Sequence, residues 1–130
     1  MAGMGHITTN LTNTCDSVRD ISRFIGYAFG LIPEELRPDR DKYIIIKYEN
    51  SDMDPDDFPP SIGYNTHGIP FDYTSVSLAN GKSHTKNDHL TITAKDPQYQ
   101  GLIGRLDGKI SHRNYMLVNA VHKCKRKFIL

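Results

Sequence analysis

This chain has few cysteines, no long apolar run and almost no net charge. Its two cysteines, Cys15 and Cys124, match neither a zinc-ligand spacing nor a disulfide framework, which favours a reduced, intracellular setting. No apolar stretch approaches the ~18 residues of a membrane span and the N-terminus lacks a signal-peptide pattern, so we expect no membrane partner. The formal net charge of +1 indicates no global attraction to nucleic acid. We expect a single domain over residues 1–130, either a whole protein or one excised from a larger chain.

A short pattern that occurs twice stands out in this otherwise ordinary composition. His6-Ile7-Thr8 lies near the start, and His89-Leu90-Thr91 lies about two-thirds of the way along. Chance placement of the histidines and threonines gives roughly 0.4 copies of such a pattern, so one copy alone carries no weight. If each copy lies on a strand, its His and Thr point to the same face. The pattern therefore predicts two directed pairs of an imidazole and a hydroxyl.

The first half of the chain predicts a strand, a helix and a second strand. Residues 5–9 form the first short strand. Apolar residues then recur at helical spacing, which predicts a helix over 15–29 packed on the sheet through this face: Val18, Ile21, Ile25 and Ala28, widened by Phe24 and Phe29. Residues 43–48 are β-branched and aromatic, which favours a buried strand.

The second half predicts a long loop, a hairpin and a short tail. Asp, Pro and Gly make 50–70 an irregular loop. Strands over 72–79 and 89–94 are predicted on either side of the turn signal Asn80-Gly81. The stretch 116–124 fits both a helix and a strand, and we favour a strand. The order of elements predicts an α+β domain with a mostly antiparallel sheet.

The repeated pattern suits metal-independent cleavage of a phosphodiester. Such cleavage needs one group to take a proton from a ribose hydroxyl and another to protonate the leaving oxygen, and imidazoles serve both roles near neutral pH. The hydroxyls of Thr8 and Thr91 would bind the phosphate oxygens. A purely structural role for each copy is the competing interpretation.

In these two copies the chain resembles the 2H phosphoesterase superfamily, whose members carry two His-apolar-Thr/Ser-apolar motifs. His89-Leu90-Thr91-Ile92 matches in full, whereas His6-Ile7-Thr8-Thr9 departs at its last position. Within the superfamily the compact layout resembles the viral 2′,5′-phosphodiesterase branch of rotaviruses, toroviruses and murine coronaviruses. The resemblance implies a two-lobed fold with mostly antiparallel sheets, a central groove and outer helices. It also implies His6 and His89 as the acid–base pair and Thr8 and Thr91 as the phosphate-binding pair.

The resemblance further implies 2′,5′-oligoadenylate as the substrate, no cofactor, no metal, and action in the host cytoplasm against the antiviral ribonuclease pathway. An adenine needs an aromatic partner, for which Phe71 or Tyr73, with Tyr64 as an alternative, are candidates. Phosphates need cations, for which the candidates are Lys82, Lys86 and Arg105.

Two other functions fit the same residues. One is a 2H-type enzyme that acts on a cyclic phosphate or another RNA end. The other is a non-catalytic domain that binds RNA or protein. A metal site at His84, Asp88 and His89 is disfavoured because the spacing matches no standard ligand pattern. The oligomeric state is left open.

Overall fold

The computed structural model describes residues 17–104 and 107–124, which form two helices, two short strands and several 3₁₀ turns. Helix α1 spans Val18–Ala28, strand β1 Ile44–Ile46, strand β2 Ile92–Ala94 and helix α2 His112–Val121. The 3₁₀ turns lie at Glu34–Leu36, Arg40–Lys42, Tyr48–Asn50, Pro55–Asp57 and Pro97–Leu102. Neither helix of this described part has the length and apolar character needed to cross a bilayer.

The two strands form one antiparallel pair, with Ile44 opposite Ala94 and Ile46 opposite Ile92. Of the strands predicted at 43–48 and 89–94, only Ile44–Ile46 and Ile92–Ala94 are confirmed. No strand is formed at 72–79, and the turn at Asn80 does not join a hairpin, so both of these predictions are wrong. Across 17–104 and 107–124 the sheet contains only β1 and β2, in place of the predicted extensive antiparallel sheets.

Helix α1 confirms the helix predicted over 15–29 within the described residues, but its predicted packing is wrong. Ser17 caps it by accepting a hydrogen bond from the Asp20 N–H at 3.1 Å. The apolar face is turned outward, since Val18 is 70 % and Phe29 52 % exposed, whereas Arg19 on the opposite face is only 4 % exposed. The helix therefore meets the rest of the fold through its polar side.

The reason for this orientation lies in the segment 75–79, which runs through the centre of the molecule and is buried at every residue. Because the segment belongs to no sheet, its backbone groups need other hydrogen-bond partners. Buried polar side chains supply them: Glu35 accepts from Ala79 N–H at 2.9 Å, Asn114 accepts from Val76 N–H at 3.2 Å, and Arg19 donates to the Leu78 carbonyl. The polar face of α1 therefore packs against the buried segment, where Arg19 binds a backbone carbonyl.

The apolar core lies on both sides of this buried segment. One cluster is formed by Ile44, Phe71, Leu78, Ala79 and Ile92. A second is formed by Leu31, Ile69, Val76 and Leu117.

Helix α2 occupies the stretch for which a strand was favoured, so that prediction is wrong. A reciprocal capping box begins the helix: the Ser111 side chain accepts from Asn114 N–H, and the Asn114 side chain accepts from Ser111 N–H. Leu117 is 3 % exposed and anchors the helix to the core. The cap signal at Ser111 would have resolved the ambiguity between helix and strand.

Candidate functional site

A charged cluster links α1 to the 3₁₀ turn that follows it. Arg23 and Tyr27 lie four residues apart and therefore share one face of the helix. The Arg23 guanidinium donates from Nη2 to Glu35 Oε1 at 2.9 Å and from Nε to the Tyr27 hydroxyl. The other carboxylate oxygen of Glu35 accepts from the Ala79 N–H at 2.9 Å. The cluster therefore joins the helix, the turn and the buried segment.

Burial and pairing act against each other on the ionisation of this cluster. Burial raises the pKa of the Glu35 carboxyl, and the Arg23 charge opposes that rise. Burial by itself lowers the pKa of Arg23, but Glu35 and Tyr27 more than offset this, so its pKa lies above the ordinary value. Arg23 is therefore a permanent cation of the site.

Arg23 and Glu35 line a pocket of ≈ 90 Å³ beside α1. Its apolar walls include Ile46, Met53 and Phe58. The remaining lining residues are Tyr48, Ser51, Ala79, Ser83, His84, Thr91 and Ile92. This mixture of apolar surface, hydroxyl groups and one cation is typical of ligand pockets in proteins.

Of the predicted acid–base and phosphate pairs, only the second copy lies among the described residues. His6 and Thr8, like Arg105, lie outside them, so the pairing of His6 with His89 is not tested. His89 is exposed and lies before β2, whereas Thr91 is 2 % exposed. The Thr91 hydroxyl donates to the Ser83 carbonyl at 2.6 Å. His89 and Thr91 thus have different environments instead of one shared exposed face.

The aromatic residues predicted to stack on a base have partners within the protein. Phe71 is 2 % exposed in the core and stacks on Tyr43 with ring centroids 4.8 Å apart. Tyr73 stacks on Tyr99 at 4.8 Å and donates its hydroxyl to the Tyr43 carbonyl at 2.8 Å. Phe71 therefore serves the core, and the ring of Tyr73 already has an aromatic partner. The alternative, Tyr64, packs against the second core cluster.

The lysines predicted to bind phosphate lie apart from the pocket lining. Lys82 is exposed and forms an ion pair with Asp88 at 2.8 Å. Lys86 is exposed, and its backbone N–H donates to the Asn50 carbonyl at 2.9 Å.

Comparison with known proteins identifies a different family from the one that the sequence motifs suggested. The model of the astacin peptidase family matches residues 2–123. The chain is 31 % identical over 123 residues to "Zinc metalloproteinase dpy-31" of Caenorhabditis elegans, covering 87 % of this chain and 20 % of that protein. It is 34 % identical over 115 residues to "Embryonic protein UVS.2" of Xenopus laevis, covering 86 % of this chain and 21 % of that protein.

A solved structure gives the same result for the fold. High choriolytic enzyme 1, a hatching-enzyme zinc-protease of the medaka fish Oryzias latipes, superimposes with a TM-score of 0.70 and 25 % identity. The superposition covers 82 % of this chain and 53 % of that chain. The chain thus spans about a fifth of the two curated relatives named above and about half of the hatching-enzyme chain.

These findings overturn the phosphodiesterase interpretation. The 2H phosphoesterase resemblance and its two-lobed fold are wrong, because the matching structure is an astacin-type zinc protease. The predicted 2′,5′-oligoadenylate cleavage and its role against a host ribonuclease pathway are wrong, because the family is one of peptidases. The expected partners, an oligoadenylate and no metal, are wrong for the family, because a zinc metalloproteinase implies a metal ion and peptide substrates. The two alternatives, a 2H-type enzyme on a cyclic phosphate or RNA end and a non-catalytic domain with the 2H fold, are wrong for the same reason.

The residues of this particular chain do not fit a zinc ion. Zinc peptidases bind zinc with H-E-x-x-H on a helix, which one class extends to H-E-x-x-H-x-x-G-x-x-H. This sequence contains no H-E-x-x-H. When the glycine of the longer pattern is placed at Gly30, two residues after the end of α1, the ligand positions fall on Arg23, Tyr27 and Pro33, and the glutamate position on Phe24.

The chemistry of these side chains confirms the misfit. A guanidinium has no lone pair to donate to a metal, and proline has no side-chain donor atom. The Arg23–Glu35 ion pair already occupies this face of the helix. Over residues 17–104 and 107–124, no group of three His, Cys, Asp or Glu residues is arranged to bind a metal.

Sequence reasoning missed this cluster because it treated α1 only as an amphipathic helix. The available signal was the i, i+4 spacing of Arg23 and Tyr27, followed by Gly30 and a dense run of charges at 34–41. The family match over residues 2–123, the identity above 30 % to curated relatives and the superposition on the hatching enzyme agree with one another. We conclude that this chain belongs to the astacin family of peptidases and that its sequence lacks the H-E-x-x-H zinc motif.

Proposed function

We propose that this chain binds polypeptide segments in the pocket beside α1 and does not cleave them by zinc chemistry. Two relatives support a polypeptide ligand through their names, a zinc metalloproteinase and a hatching-enzyme zinc-protease. The observation that supports the absence of zinc-dependent cleavage is the Arg23–Glu35 ion pair at 2.9 Å, with Tyr27 as its neighbour. Arg23 and Tyr27 lie where the placed zinc motif requires histidines.

The pocket provides the two kinds of contact that a polypeptide needs. Ile46, Met53 and Phe58 form apolar walls that would remove an apolar side chain from water. Tyr48 and Ser51 supply hydroxyl groups that would bond to the polar backbone of the ligand. Arg23 keeps its position through Glu35 and Tyr27, so this part of the pocket is formed before a ligand arrives.

The proposal is tested by metal analysis, hydrolysis and binding on the purified chain. We expect no stoichiometric zinc after exchange into zinc-containing buffer, no chelator-sensitive hydrolysis of fluorogenic peptides, and saturable binding of unfolded polypeptide by fluorescence anisotropy. Stoichiometric zinc together with hydrolysis that a chelator abolishes would overturn the proposal. Absence of any polypeptide binding would overturn the proposal that the pocket binds polypeptide segments.

A restored variant sharpens the comparison. Arg23→His, Phe24→Glu, Tyr27→His and Pro33→His together recreate the zinc signature on the same helix. If the signature positions alone prevent zinc binding, this variant gains zinc while the parent chain does not. The matched control, with Gln at Arg23 and Tyr27 in place of His, loses the same native contacts without gaining ligands.

Zinc-dependent peptidase activity is the second candidate, because the family match covers residues 2–123 and relatives are named zinc metalloproteinases. The same zinc and chelator measurements on the unaltered chain decide between the two candidates.

A further inference from the structure

We infer that the pocket beside α1 binds a carboxylate carried on an apolar stem, such as the C-terminal carboxylate of a peptide that ends in an apolar residue. The inference deepens the proposed polypeptide binding and rests on it. It assigns Arg23 as the group that contacts the carboxylate.

The two partners of the ion pair differ in their exposure to solvent. The side chain of Arg23 is 21 % exposed, whereas that of Glu35 is 3 % exposed. Both oxygens of Glu35 face inward to protein donors, namely Arg23 Nη2 and the Ala79 N–H. A ligand that enters the pocket therefore finds the cation more accessible than the carboxylate of the pair.

Arg23 retains hydrogen-bonding capacity for a ligand. A guanidinium has five N–H donors in a planar fork. Nε donates to Tyr27 and Nη2 to Glu35, while Nη1 makes no hydrogen bond to any residue of the described chain. A ligand carboxylate would accept from Nη1 in a charge-assisted hydrogen bond, which is stronger than a bond to a neutral acceptor.

The walls around that cation suit a carboxylate on an apolar stem. Glu35 is the only Asp or Glu among the described residues that line the pocket, so a ligand carboxylate meets no second acid there. Ser51 and Ser83 add hydroxyl groups that can donate. Met53 and Phe58 flank the polar part with apolar surface, which fits an aliphatic stem behind the carboxylate.

The same pocket disfavours other ligand classes. A cationic side chain would lie closer to the exposed Arg23 than to the buried Glu35, whose oxygens already accept from Arg23 and the Ala79 N–H, so it would gain no ion pair there. A neutral amide would leave Nη1 with a weaker acceptor and would gain only the apolar contacts.

The test compares two peptides that differ only at their C-terminus. N-acetyl-Ala-Ala-Leu is titrated into the unaltered chain by calorimetry, once with a free carboxylate and once as the C-terminal amide. We expect the acid to bind about tenfold or more tightly than the amide. Equal affinity, tighter binding of the amide, or no binding of either peptide would overturn the inference.

Variants assign the preference to Arg23. Arg23→Gln removes the cation, and we expect the acid and the amide then to bind equally. Arg113→Gln is the matched control, because Arg113 is an exposed arginine outside this pocket that donates to the Phe71 carbonyl. A preference that survives in Arg23→Gln would refute the assignment. If Arg23→Gln fails to fold, the comparison of acid and amide on the unaltered chain still decides the inference.

These outcomes are separate from those of the proposed function. Equal binding of acid and amide, with no zinc and no hydrolysis, removes the carboxylate inference and leaves polypeptide binding intact. Zinc-dependent hydrolysis by the unaltered chain removes the proposed function whichever terminus is preferred.

Discussion

Replacement of Arg37 by methionine tests how strongly a buried cation stabilises this fold. Arg37 is 1 % exposed and lies directly after the 3₁₀ turn that carries the pocket carboxylate. It binds Asp39 through two hydrogen bonds of 2.8 and 3.0 Å and Glu34 through one of 3.1 Å. Its Nη2 also donates to the Ile69 carbonyl at 2.8 Å. Arg37→Met keeps most of the side-chain length but removes all of these donors.

The expected loss follows from what remains behind. Glu34 is 3 % exposed, so without Arg37 its carboxyl group lies in the interior without a cation. Removal of one partner of a buried ion pair costs about 3–5 kcal/mol, and protonation of Glu34, whose pKa burial raises to about 7, places the loss at the lower end of that range near neutral pH. The whole free energy of unfolding of a domain is about 5–15 kcal/mol, so the variant loses a large fraction of it. Arg37→Lys keeps the charge but not the planar fork, and we expect an intermediate loss.

Urea unfolding followed by circular dichroism measures these free energies. The control is Lys47→Met, which breaks the half-exposed Lys47–Glu49 ion pair and should cost about 0–1 kcal/mol. The reasoning is refuted if Arg37→Met changes the free energy of unfolding as little as Lys47→Met does.

Two further predictions concern ionisation and backbone geometry. Burial raises the pKa of Glu34 from 4.5 to about 7, so between these pH values the folded chain holds a proton that the unfolded chain releases. The free energy of unfolding should therefore fall by up to about 3 kcal/mol as pH rises through this window, and Glu34→Gln should flatten that dependence in urea titrations at several pH values. Gly104→Ala should destabilise by about 1–3 kcal/mol in thermal or urea unfolding, because its φ is +73° and a Cβ there would lie 2.5 Å from the Asn80 Cα. Gly68→Ala, with a φ of +70° and open space around it, isolates the cost of the backbone conformation, and an equal loss in both variants would contradict the proposed clash.

The function was mispredicted because a short motif carries little information. His6 and His89 each begin a His-apolar-Thr pattern, and two copies in a chain of this length are not far from chance. The second copy was also expected to lie on a strand, but β2 begins at Ile92, so His89 and Thr91 both precede it. The family match instead extends over residues 2–123.

Several features followed from local sequence because local physics controls them. The apolar spacing after Ser17 predicted α1, and the run around Ile45 predicted β1. The density of Pro, Gly and Asp predicted an irregular path over 50–70. The absence of H-E-x-x-H is likewise a property of the sequence alone, and it suffices to exclude that zinc motif from this chain.

The tertiary structure alone decided which face of α1 is buried and which residues meet at the site. An amphipathic pattern predicts that the apolar face turns inward, but the buried segment 75–79 needs hydrogen-bond partners, and Arg19 on the polar face of α1 and Glu35 in the following turn are among those that provide them. Arg23 and Glu35 are twelve positions apart, and their pairing depends on how the chain turns after the helix. Hydrogen-bond satisfaction of a buried backbone is a property of the whole fold, so it does not appear in any local window of the sequence.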